Sequence, residues 1–586
     1  MRTNVVGLSL LLALIAGCGT TNVVSPSACA GQVCGPSEVC DPGTGLCLDQ
    51  ALASPALEVL PPSGNNQGWV AQEFPRPGVG QEGKINLKLE AAVSIEGGVY
   101  ASDDPTKIIP AQVIAWRESK LEGRPKVQFE ASTGGKRDGG KETFVLWVNK
   151  GATYSLFVTP LPPYDADYPP LVVPSLQVTD HLKKPFMLDG ADRAVLIKGQ
   201  VTDYIGLPLN IKKPLYKNEK NVLLSASVRI RAFESDGLRR STIGTTDPVT
   251  GAFSFKVPAG VATYDIRVES AGVLSKVSQD PKDPNEEGMP IPTLECKQIV
   301  LGLATSQGDA QPEQDIGKIQ LPSFRFPEKF YFNVKGKDGT PVKGAAVTFT
   351  TEIKPLAANG NFASCSAVYT RTVYSDATGK VEILLLPASI TTLAYAVTVV
   401  SPSDSPFASQ WIKELEVGPS GGTLPAIELD RRYELSGQVV RKDTGEPVAG
   451  VTLQARGVSP GTDTAKVPVT TVSTTTDDEG KYQLFVDPGI HNLDLRPPQD
   501  SGLPSLGRTA IKFEGDVSWY VFKIPTPQVL LGMVRDPGGS PLPLATVQMY
   551  ELVPEIEKPL TNKATLRTSS VTDGAGEFGL LIAPPQ

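Results

Sequence analysis

The sequence predicts an all-β fold, a tandem array of β-sandwich modules behind a small disulfide-rich segment. Three observations carry that expectation. A short grammar recurs along the chain: an aliphatic strand, a Gly or Pro turn, an Ala-x-aliphatic strand, an Asp-x-x-Gly turn and a closing hairpin. It is clearest in YELSGQVVRKDTGEPVAGVTLQA (Tyr433 to Ala455) followed by TTTDDEGKYQLFVDPGIHNLDL (Thr474 to Leu495). The 586 residues include 56 glycines and 52 prolines, a load that suits turns and not long helices. Apolar residues alternate with polar ones at period two, the signature of half-buried strands.

The N-terminus reads as an export signal. Arg2 precedes an apolar run, Val6 to Ala16, that is too short to span a bilayer and ends Leu14-Ile15-Ala16-Gly17-Cys18. Small residues before a cysteine resemble the lipobox of bacterial lipoproteins. That resemblance implies a signal peptide over 1–17, lipidation of Cys18 and anchorage to the cell envelope. Gly19 in place of an aspartate points to the outer membrane. Residues 18–28 then form a lipidated tether. Cys29, Cys34, Cys40 and Cys47 follow at C-x4-C-x5-C-x6-C spacing. A segment this short has no core of its own, so 29–47 is expected as an EGF-like knot of two disulfides with the pairing open. Zinc is the weaker alternative, because no CxxC pair is present. Cys296 and Cys365 are expected either to bridge or to remain buried thiols.

Residues 48–83 are rich in Pro and Gly and read as a linker in which Trp69 and Val70 dock locally. The modules are placed at 84–178, 190–324, 325–429, 430–524 and 525–586. In the first, Val145 and Trp147, then Tyr154, Leu156 and Val158, carry the alternation. The second includes a polar stretch, Gly272 to Pro327, expected as closing strand plus insertion or as a hinge. Short junctions such as LDRRYELSG and FKIPTPQVLLG leave little slack, which predicts an elongated, semi-rigid array. The fifth module stops where the fourth continues through further strands. This suggests a fragment, with an edge left open for a partner strand as the alternative.

The motifs Pro341-Val342-Lys343-Gly344-Ala345, Pro447-Val448-Ala449-Gly450-Val451 and Pro541-Leu542-Pro543-Leu544-Ala545 each precede an Asp/Gly turn, followed in the last two by the aromatics Tyr482 and Phe578. Together they resemble the carboxypeptidase regulatory-like domain, and this resemblance implies Ig-like or transthyretin-like β-sandwiches over most of 190–586. These signature residues define turns and cores. Gly251, Gly480 and Gly576 supply turn conformations, Asp247, Asp478 and Asp573 cap them, and Phe253, Tyr482 and Phe578 point inward. Calcium at Asp477 to Gly480 is disfavoured, since the loop lacks spaced oxygen ligands.

Chemistry is hard to find in this sequence. It holds two histidines, His181 and His491, far apart and read as solvated. Neither supports a clustered zinc site, and no G-x-S-x-G elbow accompanies them. Gly135 to Lys141 (GKRDGGK) nearly matches a phosphate loop, but Glu142 replaces the Ser/Thr and strands flank it. The acid pairs Asp103-Asp104 and Glu286-Glu287 sit in polar turns. A net charge of −8 with no basic stripe argues against nucleic acid. No cofactor or metal is expected. Trp69, Trp116, Trp411 and Trp519 are the one binding hint: packing is expected for most, and an exposed one would stack on sugar rings. The sequence therefore points to a non-catalytic, lipid-anchored envelope protein serving as stalk, adhesin or assembly scaffold. A carbohydrate- or peptide-binding lipoprotein is the alternative, and a hydrolase a remote third. The membrane is the expected partner, with a protein or glycan besides.

Overall fold

A computed structural model describes 38–40, 47–49, 56–62, 69–75, 77, 84–121, 124–133, 135–136, 142–202, 221–224, 228–247, 249–270, 273–276, 289–290, 292–302, 312–320, 328–353, 365–387, 393–457, 470–554 and 562–584. These residues form strands, turns and loops, with no α-helix among them.

One seven-strand topology is repeated five times. In the fourth domain Tyr433–Arg441 is the centre of a three-stranded sheet, with Lys481–Val486 antiparallel on one side and Val517–Ile524 parallel on the other. The facing sheet runs Thr471–Thr475, Thr452–Gly457, Gly489–Arg496, Leu506–Phe513. Alternate residues of both sheets meet in the core, including Leu435, Val439, Leu453, Ala455, Tyr482, Leu484, Leu493 and Leu495. The first domain has the same order although its sequence hardly shows the motif. Its first sheet buries Phe144, Leu146 and Val148, so the inward register is one residue off the expected Val145 and Trp147, while Tyr154, Leu156 and Val158 do face the core.

The second and third domains are fused at the level of the sheet. Thr293–Leu301, a closing strand of the second, pairs with Cys365–Tyr374 of the third, making one eight-stranded sheet across both. Cys296 and Cys365 stand opposite each other in that pairing and are joined by a disulfide. Residues 272–327 are therefore neither hinge nor linker where described: they supply Val273–Lys276, Met289–Pro290, Thr293–Leu301 and Glu313–Gln320.

The fifth domain is completed from the other end of the sequence. Its own strands are Gln528–Arg535, Thr546–Pro554, Asn562–Val571 and Glu577–Ile582. Ala56–Leu60 pairs antiparallel with Thr546–Pro554, Gln72–Phe74 pairs with Ala56–Leu60, and Ile85–Lys88 pairs parallel with Gln528–Arg535. These three fill the places that Gly489–Arg496, Leu506–Phe513 and Val517–Ile524 fill in the fourth domain. Leu57, Val59, Ile85, Leu87 and Leu89 join Leu530, Val534, Val547, Phe578 and Leu580 in one core, with Trp69 packed against it. The segment expected as a linker thus contains two strands, the boundary expected at 84 cuts off a third, and the strands that seemed missing from the fifth module come from within the chain. Apolar burial explains the choice, because ALEVL presents Leu57 and Val59 to a sheet that otherwise leaves Val547 and Leu580 uncovered.

The array expected to be elongated carries one qualification. The strands that complete the fifth domain run through Leu89 directly into the first, so the two ends of the array are held together.

Candidate functional site

The motif residues act structurally. In each of four turns one carboxylate oxygen gathers backbone amides: Asp247 from Val249 and Thr250, Asp376 from Thr378 and Lys380, Asp573 from Ala575 and Glu577. In the fourth domain the cap is Asp477, accepting from Glu479 and Lys481, and not the expected Asp478. The glycine closing each turn is left-handed, with φ of 69° at Gly251, 74° at Gly379, 70° at Gly480 and 73° at Gly576. In the third, fourth and fifth domains the hydroxyl before the aspartate ties the two motif halves together. Thr476 donates to the Val448 carbonyl and accepts from the Val451 amide, as Ser375 and Thr572 do in their domains. The motif aromatics Phe253, Tyr482 and Phe578 are buried. At Gly199 and Gly532 a Cβ would meet the rings of Phe253 and Phe578 at 2.6 and 2.3 Å, which is why the first strand carries glycine there.

The buried charges lie elsewhere, at seams between domains. Between the fifth and first, Glu58 and Glu73 sit on the completing strands and meet Arg117 and Arg124 of the first domain. Arg117 contacts Glu73 at 2.8 Å, and Arg124 bridges Glu58 at 2.9 Å and Glu73 at 3.1 Å. The Tyr550 hydroxyl donates to Glu58 at 3.0 Å, the Ser119 hydroxyl to Glu73 at 2.5 Å and the Lys120 amide to Glu73 at 3.0 Å. Burial alone would raise the Glu73 pKa, but the bonds from Ser119, Lys120 and Arg117 together hold it below the ordinary glutamate range. Burial, then the Glu58 charge, pushes the Tyr550 phenol up to about 12.

At the seam between third and fourth domains, fully buried Arg432 donates to Asp487 at 2.7 Å and to the carbonyls of Pro402, Ser403 and Ser405. His491 lies in the same domain end. It is buried, 2% exposed and edge-on to Phe513, which corrects the expectation of a solvated residue. Desolvation lowers its pKa. Its strand alternates inward His491, Leu493 and Leu495 with outward Asn492 and Asp494, a signal present in the sequence. Arg567 of the fifth domain pairs with Asp494 of the fourth. Arg240 of the second lies over the Phe157 ring of the first at 5.6 Å. The domains are thus joined in a closed cycle, one to two through to five and back to one.

The remaining candidates stay apart. His181 is exposed, accepts from the Ser94 amide and stands edge-on to Trp147. Asp104 caps its own turn through Thr106, and Asp103 accepts from the Ala191 amide, so that acid pair is structural. In the phosphate-loop-like stretch, Gly135–Lys136 pairs with the start of Glu142–Val148 as a hairpin. Among the described residues no three His, Cys, Asp or Glu side chains cluster as a metal site requires. An open depression of about 830 Å³ on the second domain is lined by Lys198, Gln200, Asp247, Asp315 and Lys318 among others, and brings no nucleophile and base together. Trp69, Trp116 and Trp411 are half-buried, Trp116 stacked on Phe157 and bonded to Gln128. Trp519 is the exception at 77% exposed. Glu38–Cys40 pairs with Cys47–Asp49, placing Cys40 opposite Cys47. Cys18, Cys29, Cys34 and the Glu286-Glu287 pair lie outside the described residues.

No family model and no curated protein sequence matches the chain. Among solved structures, a Streptococcal ancillary pilin is similar at 12% identity and a TM-score of 0.21, over 57% of this chain and 99% of its own. The shaft pilin SpaA from Lactobacillus rhamnosus GG is similar at 15% identity and a TM-score of 0.18, over 34% of this chain and 97% of its own. The TIE protein of Bacillus anthracis covers 74% of each chain at 8% identity and a TM-score of 0.16. Similarity at this level assigns no function.

Proposed function

We propose that the protein is a non-catalytic cell-envelope scaffold, a set of regulatory-like β-sandwiches locked into a closed cycle and tethered to the outer membrane by a lipid on Cys18. One observation carries the scaffold reading. Glu58, Glu73, Arg117, Arg240, Arg432 and Asp487, the buried Asp, Glu and Arg residues among those described, all lie where one domain meets another. Burying ionised groups is costly unless they are paired, so their placement at seams favours fixed domain orientation. An enzyme would gather such groups around a cleft.

The anchor rests on the apolar run before Cys18. No helix among the described residues is long and apolar enough to cross a membrane. Several acyl chains on one cysteine would hold the protein stably, at about 0.8 kcal/mol per buried CH₂. The test is metabolic labelling with an alkyne fatty acid in a bacterial host. The wild-type chain is expected to take up label and enter the detergent phase on Triton X-114 partition, and Cys18→Ala to lose both. An unlabelled, water-partitioning wild type would refute the anchor.

A further inference from the structure

Five strands occupy the same edge position, parallel to the first strand of each domain, and one of them breaks their common pattern. In the second domain the exposed members of Glu313–Gln320 are Glu313, Asp315, Gly317 and Lys318. In the third they are Thr423 and Glu428, and in the fifth Asn86 and Lys88. The first domain exposes Lys183 there. Polar and charged edges of this kind resist adventitious strand pairing. The fourth domain exposes Ser518 and Lys523, but between them it also exposes Trp519 at 77%, Tyr520 at 45% and Val521 at 43%.

Neither packing nor backbone preference accounts for Trp519. Val517–Ile524 carries a bulge, since Leu435 pairs with Val517 and Gly437 with Tyr520, so that Ser518 and Trp519 together face Ser436. The second domain bulges one residue further along, opposite Gly199, the counterpart of Gly437, and carries Gly317 at φ 75° as the second residue of that bulge. Trp519, the second residue of its own bulge, adopts φ 58°, a conformation that favours glycine and disfavours a bulky side chain. A bulky, solvent-facing aromatic held in this left-handed conformation points to use of the ring itself.

We propose that Trp519 is a stacking platform for an uncharged hexose of a polysaccharide chain. The bulge interrupts the regular edge that an added strand would need, which disfavours a peptide partner. Beside it, Ser436 and Gln438 of the central strand and Gln483 of the next lie on the outward face, because Leu435, Gly437, Val439, Tyr482 and Leu484 point inward. Hydroxyl and amide groups next to an exposed indole are the chemistry that binds a sugar, its C–H face on the ring and its hydroxyls on the amides.

The test titrates the purified full chain with cellohexaose, mannohexaose and chitohexaose by calorimetry. Saturable binding of at least one is expected, weakened about tenfold or more in Trp519→Gly and largely retained in Trp519→Phe. Trp519→Gly relieves the backbone strain, so its melting temperature should equal or exceed that of the parent, which separates lost binding from lost folding. Three outcomes would overturn the proposal: no binding of any of the three sugars, binding undiminished in Trp519→Gly, or a wild-type dimer in sedimentation that Trp519→Gly abolishes.

Discussion

At the scale of single residues, each domain is held by a few polar contacts whose positions are set by turn geometry. Asp477 and Asp478 are neighbours and chemically identical, yet only Asp477 receives the Glu479 and Lys481 amides. Asp477→Ala should therefore cost the fourth domain about 1 kcal/mol in urea unfolding, with Asp478→Ala close to neutral. Equal effects would contradict the assignment. Most of this scale was legible in the sequence: the turn glycines and the inward aromatics follow from the motif and elementary sterics. The misreadings have physical causes. A doubled aspartate hides which carboxylate faces the amides, and His491 looks solvated until its strand's alternation with Leu493 and Leu495 is followed. Trp519 could not be singled out, since nothing in its local sequence announces the bulge that exposes it.

At the scale of strands and seams, the completing strands bring buried acids to the first domain's arginines. Glu73 is 1% exposed in its side chain and bonded to Arg117, so removing either partner strands the other. Glu73→Ala should destabilise the seam by about 3–5 kcal/mol, read as early loss of the fifth domain in denaturant. The pH dependence follows from the depressed Glu73 pKa. A carboxyl more acidic in the folded state contributes stability that is fully present above the ordinary glutamate pKa. That contribution is lost as pH falls through the lower, folded value. Glu73→Gln should flatten the acid side of the stability profile, and an unchanged slope would show that the seam does not depend on this group. The regular strands were readable from period-two patterning. ALEVL was not, because five residues between Pro-rich stretches look like a linker, and nothing local specifies a partner strand almost a whole chain away.

At the scale of the whole molecule, the structure turns a string of sandwiches into a closed cycle. The repeat predicted the modules, but the apparent lack of strands in the fifth reads as a fragment or an open edge, whereas its complement lies near the other end of the sequence. Long-range closure of this kind is invisible to pattern reading, since the signal is an absence in one place and a short apolar segment in another. A cycle with paired charges at the seam between fifth and first domains and a disulfide between second and third resists relative motion of its parts, as the proposed scaffold role requires. The most direct test of that closure places cysteines at Leu60 and Thr546, which pair in register between Ala56–Leu60 and Thr546–Pro554. Under mild oxidation, Leu60→Cys with Thr546→Cys should give an intramolecular disulfide, seen by peptide mapping in a monomer. Free thiols, or cross-links found only between two molecules, would contradict a fifth domain completed by the chain's own first strands.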